Sequence, residues 1–380
     1  MGERVEKIVG WLRLCVAGAA ALAGLSAFPA GASAAEPTFF TLPPATHAYS
    51  MTAGPEDAIW FLGQSGRVGS ATGGPLVGKI DANGQVKVFE LPAGRNVAEI
   101  VAGPDGNLWF TETHGNRRGY RVVRVGHLSP AGKFDEFNLG NHVGDPGQIA
   151  VGPDGNLWFT SVYWKQGRAQ QAIGRLGVSG KLKRFHLPPR SGPTDIAAGP
   201  DGNVWFSQRA RGDGRIGRIT PSGRITQFLV PGRGRYPTEL AVGPDGNVWF
   251  GEAYTGYRPH AKARIGRIDM SGAVAEFPLP GEGVAGSLVS GPGARLWYTT
   301  TIGHAGIGIG SLTPDGVVAE PFCLTALPCS TDADSLVVGP DGALWFAASR
   351  YFPHAGGGGS GIAESMTEES EAGQVGRIAG

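Results

Sequence analysis

The chain has 380 residues, with 33 Lys+Arg against 32 Asp+Glu for a formal net charge of +1, and it contains 64 Gly and 28 Pro. So balanced a charge gives no global field for nucleic acid or an anionic membrane surface, which argues against both as partners. Glycine and proline at this density punctuate many short strands rather than long helices.

Residues 1–34 read as a signal peptide. Lys7 and Arg13 open it, Leu14 to Phe28 is an apolar run too short to span a bilayer comfortably, and Ala32-Ser33-Ala34 is a small-residue cleavage site. Export is therefore expected, to a secreted or extracytoplasmic location, with no membrane span after cleavage. Cys15 leaves with this segment, so Cys323 and Cys329 remain, and in an exported chain they are expected to close a small disulfide loop.

From Gly54 onward one ten-residue pattern recurs. It is clearest as GPDGNLWFTE at Gly103 to Glu112, with near-copies starting at Gly152, Gly199, Gly243 and Gly339 and degraded copies starting at Gly54 and Gly291. The tryptophans fall at Trp60, Trp109, Trp158, Trp205, Trp249, Trp297 and Trp345, spacings of 44 to 49 residues that mark an array of one supersecondary unit. Within a unit, Asp195 to Pro231 for example, four strands are predicted: A from Ile196, B from Asn203, C from Arg215 and D from Ile225. The Gly-Pro-Asp-Gly sequence supplies a tight A–B turn, with Pro presetting φ and Gly taking positive φ. The tryptophan of strand B is expected to pack between neighbouring units.

The last unit has candidates for strands A, B and C, at Ser335 to Gly339, Ala343 to Ser349 and Gln374 to Ala379, and then the chain stops. Its missing strand D matches Pro37 to Pro43, at the other end. The fold class expected is all-β: a seven-bladed β-propeller of four strands per blade over residues 35–380, closed by pairing of the first strand into the last blade. Ala355 to Gly373, Gly-rich then acidic, interrupts the last blade and reads as a flexible, solvated insertion, with a flap over one face as the alternative.

In such a blade the D–A and B–C loops share one face, and variable loops on a rigid scaffold are where a site is sought. At the start of strand A a polar residue recurs as Glu99, Gln148, Asp195, Glu239, Ser287 and Ser335, with Asp334 beside the last. These groups could ring the mouth of the central channel and hold a cation, or simply hydrogen-bond loop amides or ordered water. Glu112 and Glu252 end strand B as possible metal ligands or as ion-pair partners of nearby arginines. The B–C loops offer Tyr120, Trp164, Tyr254 and Tyr257 among basic residues, suited to stacking on a sugar or aromatic ligand. His127 and His186 fall in outer strands and are expected to be exposed. No nucleophile elbow, zinc-protease helix or phosphate loop is present.

The repeated Gly-Pro-Asp-Gly-Asn-Leu-Trp-Phe-Thr-Glu, followed by Ile-Gly-Arg-Ile as at Ile216 to Ile219, closely resembles the streptogramin B lyases, also called virginiamycin B lyases, from about Pro37 to Gly380. The resemblance implies a seven-bladed propeller that linearises a cyclic depsipeptide antibiotic by magnesium-dependent elimination, and hence a role in antibiotic resistance. It also implies a general-base His opening strand A in Pro-His-Gly-Ile, and a metal-associated Glu fourteen residues later. Glu112 and Glu252 match that Glu, but Ala98 and Thr238 stand where the His is expected, and Gly147, Thr194, Gly286 and Asp334 stand there in other blades. Tyr236 and His260 are then the residues able to substitute as acid or base. Two readings follow: a carbon–oxygen lyase using magnesium, or a monomeric, non-catalytic propeller binding a cell-wall glycan, a small cyclic or linear peptide, or a protein.

Overall fold

The computed structural model describes residues 37–379 except 67–72, 116–120, 140–145, 166–167, 211, 255–261, 302–306, 324–330 and 351–372. The proposed signal peptide, most of the 355–373 insertion and Cys329 lie outside the described residues. What is described is almost wholly β: seven antiparallel four-stranded sheets and one 3-10 turn, Pro292–Ala294. The innermost strands, A of blades 1 to 7, are Thr46–Gly54, Arg95–Ala102, Pro146–Val151, Pro193–Ala198, Arg235–Val242, Ala285–Gly291 and Thr331–Val338. Each packs against the next, and the seventh packs against the first, so the sheets form a closed ring. This is the expected seven-bladed propeller.

Closure follows the expected route. Blade 7 adds Leu344–Arg350 and Gln374–Ile378 as strands B and C, and its outermost strand is Thr38–Thr41 from the start of the chain. Thr38 lies opposite Arg377 and Thr41 opposite Gln374. Leu42 N–H donates to the Gly373 carbonyl at 3.0 Å, so the pairing runs one residue beyond the strand.

The repeat owes its sequence to one hub per blade. In blade 4, strand A is followed by Val204–Ala210, Asp213–Ile219 and Ile225–Leu229 as strands B, C and D. The Trp205 indole N–H donates to Asp201 Oδ1 at 2.9 Å, the Asn203 N–H shares that oxygen at 3.2 Å, and Arg218 Nη1 reaches Asp201 Oδ2 at 3.3 Å. The Arg218 guanidinium then lies over the Trp205 ring, and Trp205 stacks on Phe228 with centroids 5.8 Å apart. One carboxylate thus orients turn, indole and guanidinium together. Burial alone would raise Asp201, but the indole and Asn203 donors and then the Arg218 charge outweigh it, holding the carboxyl below its ordinary value. Blades 1 and 6 have degraded turns without this Asp, and Trp60 and Trp297 donate instead to the Pro55 and Pro292 carbonyls at 3.0 and 3.1 Å.

The core lies between blades. Trp205, Ile216 and Val230 of blade 4 pack with Leu240, Val248, Phe250 and Ile268 of blade 5. Trp60 and Leu62 pack in the same way with Ile100 and Phe110 of the next blade. Fully burying a phenylalanine contributes about 1.5–3 kcal/mol, and blades 1 to 5 and 7 bury both Trp and Phe, whereas blade 6 has a half-buried Trp297 and a buried Tyr298. The Gly of Ile-Gly-Arg-Ile is required by this packing, because a methyl group at Gly217 would overlap the Phe206 ring.

Candidate functional site

Strand A begins before the recurring polar residue, so that residue does not open the strand as expected. It sits on a bulge instead: in blade 4 the register slips between Pro193 and Ile196, and in blade 2 between Val97 and Ile100. A bulge leaves a strand N–H without its ladder partner. The same register identifies Ser50 as the blade 1 member, which the repeat pattern alone does not reveal.

These side chains pass hydrogen bonds round the ring. Ser50 Oγ accepts from Ile100 N of blade 2 at 3.3 Å, and Asp195 Oδ2 accepts from Leu240 N of blade 5 at 2.6 Å. Ser287 Oγ accepts from Leu336 N of blade 7 at 3.0 Å, and Ser335 Oγ from Met51 N of blade 1 at 3.1 Å. Each satisfies a bulge amide of the next blade's strand A, rather than the loop amides or water expected of the alternative to a cation site. Two acids of the ring act on the third. Burial, and then the charges of Asp195 and Glu239, push Glu99 up to about 8. Burial likewise pushes Asp195 up to about 7 against its two backbone donors. Among the described residues, no group of three or more His, Cys, Asp or Glu could hold a metal ion. The side chain of Asp334 lies outside the described residues.

Glu112 and Glu252 are fully buried at the loop-face end of strand B, each inside the same four-residue network. In blade 2, Arg95 Nε lies 3.0 Å from Glu112 Oε2, Arg95 Nη2 lies 2.9 Å from Glu136 Oε2, and Arg124 also pairs with Glu136. In blade 5, Arg235 Nη1 lies 3.0 Å from both Glu252 Oε2 and Glu276 Oε2, with Arg264 Nη1 3.8 Å from Glu276. Two guanidinium groups therefore face two carboxylates in each blade. Burial first, then the neighbouring Glu136 or Glu276, pushes Glu112 and Glu252 up to about 7 despite the arginines. The repeat displays the two glutamates, and arginines near them are visible as partners in the sequence. Glu136 and Glu276 are not visible there as site residues, because they lie far along the chain and reach the site only through strand D.

Of the remaining expected site residues, Tyr236 lies on strand A of blade 5, with the Arg209 guanidinium 4.8 Å from its ring centre. Tyr254 ends strand B of that blade, opposite Arg235. His260, Tyr120 and Tyr257 lie outside the described residues, as do the side chains of Trp164 and Cys323. At the position expected to carry the base, Thr194 Oγ1 hydrogen-bonds Ser207 Oγ at 2.7 Å, and the hydroxyl of Thr238 is buried without a partner. Blade 1 places Tyr49 there, its hydroxyl donating to Val97 O at 3.1 Å. His186 is exposed as expected, but His127 is not. It is half-buried and stacks on Trp109 at 4.6 Å, because blade 2 has His where blades 3, 4, 5 and 7 have the strand C arginine.

The model of the virginiamycin B lyase family matches residues 32–163 and 120–257. The chain belongs to that family. Among solved structures, a catalytically inactive His-to-Ala variant of virginiamycin B lyase from Staphylococcus aureus with quinupristin is 26% identical, with a TM-score of 0.67 over 90% of this chain and 98% of that one. A selenomethionine-substituted virginiamycin B lyase from the same organism is 25% identical with a TM-score of 0.64, over 90% of this chain and 99% of that one. A streptogramin B lyase structure at 24% identity and a TM-score of 0.64, covering 89% and 96%, shares the fold. No curated protein matches the chain. Among the described residues, no helix of this family member is long and apolar enough to cross a membrane.

Proposed function

We propose that this virginiamycin B lyase family member is an exported, non-catalytic binding propeller that recognises a peptide or glycan on its loop face. The observation that carries the reading is the local chemistry around the two matching glutamates. Elimination needs a group that takes the α-proton, and neither Ala98 nor Thr238 can do so. The virginiamycin B lyase from Staphylococcus aureus is catalytically inactive as a His-to-Ala variant. Glu112 and Glu252 also fit magnesium poorly, since a divalent cation on either carboxylate would sit beside guanidinium groups already 3.0 Å away. Their buried arginine pairing supports a structural role.

Family membership favours the second reading, a magnesium-dependent lyase in which Tyr236 or His260 replaces the base. Incubation with a streptogramin B depsipeptide, with and without magnesium, separates the two. We expect the depsipeptide to be recovered intact while an active relative consumes it. A magnesium-dependent product of unchanged mass and altered retention would overturn the binding reading.

A further inference from the structure

Blade 4 carries the same four positions as blades 2 and 5, but with a different charge. By strand register, Gln208 replaces Glu112 and Glu252, Gln227 replaces Glu136 and Glu276, and Arg215 stands where Arg124 and Arg264 do; Ser191, just before the strand, precedes Pro193 as Arg95 precedes Val97 and Arg235 precedes Pro237. Two cations against two anions become one cation against none. Gln227 Nε2 donates to Gln208 Oε1 at 2.6 Å, and the fully buried Gln208 keeps its own Nε2 without a partner. Among the described residues, no carboxylate pairs with Arg215, whereas Arg124 and Arg264 are each paired.

A depression of about 300 Å³ opens over this place, lined by Arg215 and Gln227, with Pro188, Pro189 and Arg190 from the incoming loop and Asp213 from the B–C hairpin. Arg190 is held at φ +64°, a left-handed conformation that a non-glycine residue adopts at a cost. Two prolines stiffen the loop before it. The depression thus brings together a second cation, an unmatched arginine and a short apolar wall.

We propose that this depression is a binding site for a small monocarboxylate bearing a compact apolar group, such as the C-terminal end of a short peptide. The ligand carboxylate supplies from the depression the negative charge that Glu136 and Glu276 supply in blades 2 and 5, bridging Arg215 and the Gln227 amide that line it. The planar guanidinium fork matches a carboxylate. Pro188 and Pro189 receive the apolar group, and Asp213 at the rim disfavours a dianion such as phosphate. The inference is independent of whether the propeller is a lyase.

The test is binding of N-acetylalanine and of its primary amide to the protein, measured by saturation-transfer NMR, with inorganic phosphate as competitor. We expect the acid to bind at least tenfold more tightly than the amide and phosphate to compete poorly. Arg215→Gln should weaken the acid at least tenfold. Gln227→Glu, which installs the internal carboxylate of the sister blades, should weaken it as much while the protein melts no lower than the parent. Equal binding of acid and amide, displacement by phosphate at equal concentration, or unchanged affinity in Gln227→Glu would each overturn the proposal.

Discussion

At the scale of single residues, two populations of carboxylates pull stability in opposite directions with pH. The hub aspartates, such as Asp201 and Asp245, are held below their ordinary value, so their contribution is present above that value and lost as acid protonates them in the fold. Glu99, Asp195, Glu112 and Glu252 are raised, to about 8 for the first and about 7 for the others. A folded state that holds its protons more tightly than the unfolded chain is favoured below the unfolded value, and loses that advantage as pH rises through the folded one. Stability is therefore expected to peak on the acid side of neutrality. Melting temperature should fall between pH 5 and pH 8.5, and in Glu99→Gln that fall should be shallower. A parent whose melting temperature rises across this window would contradict the assignment.

At the scale of strands, the repeat is legible because each residue in it has one neighbour to satisfy. The hairpin turn, the interblade tryptophan and the chain-end closure are all readable from Gly-Pro-Asp-Gly, Trp-Phe and the unpaired Phe39-Phe40 stretch. The purpose of Ile-Gly-Arg-Ile is not, since Gly217 and Arg218 meet Phe206, Trp205 and Asp201 only after three strands have paired. The candidate site was legible in part for the same reason. Glu112 stands in the motif, while Glu136 joins it through strand D of the same blade, and a bulge changes which amide Asp195 answers. Gly217→Ala tests the packing argument. The added methyl must displace the Phe206 ring, and overpacking of this kind costs about 1–3 kcal/mol. Urea unfolding should show that loss, and Phe206→Leu in the same chain should recover part of it.

At the scale of the molecule, Thr38–Thr41 covers strand C of blade 7 and gives that blade the fourth, outermost strand that the other six have. Deletion of residues 37–41 should leave Gln374–Ile378 as an open edge, lower the melting temperature and promote association, measurable by light scattering. A truncated chain that melts and scatters like the parent would show that closure rests on the inner strands alone. The same covering strand sets an order of events. Synthesis runs from the N-terminus, so the first strand made is the last to find its partner, and it must wait while six complete blades form behind it. The pairing of Thr38–Thr41 cannot form on a ribosome that still holds residues 374–378, so the outer strand of blade 7 joins only after strand C has emerged.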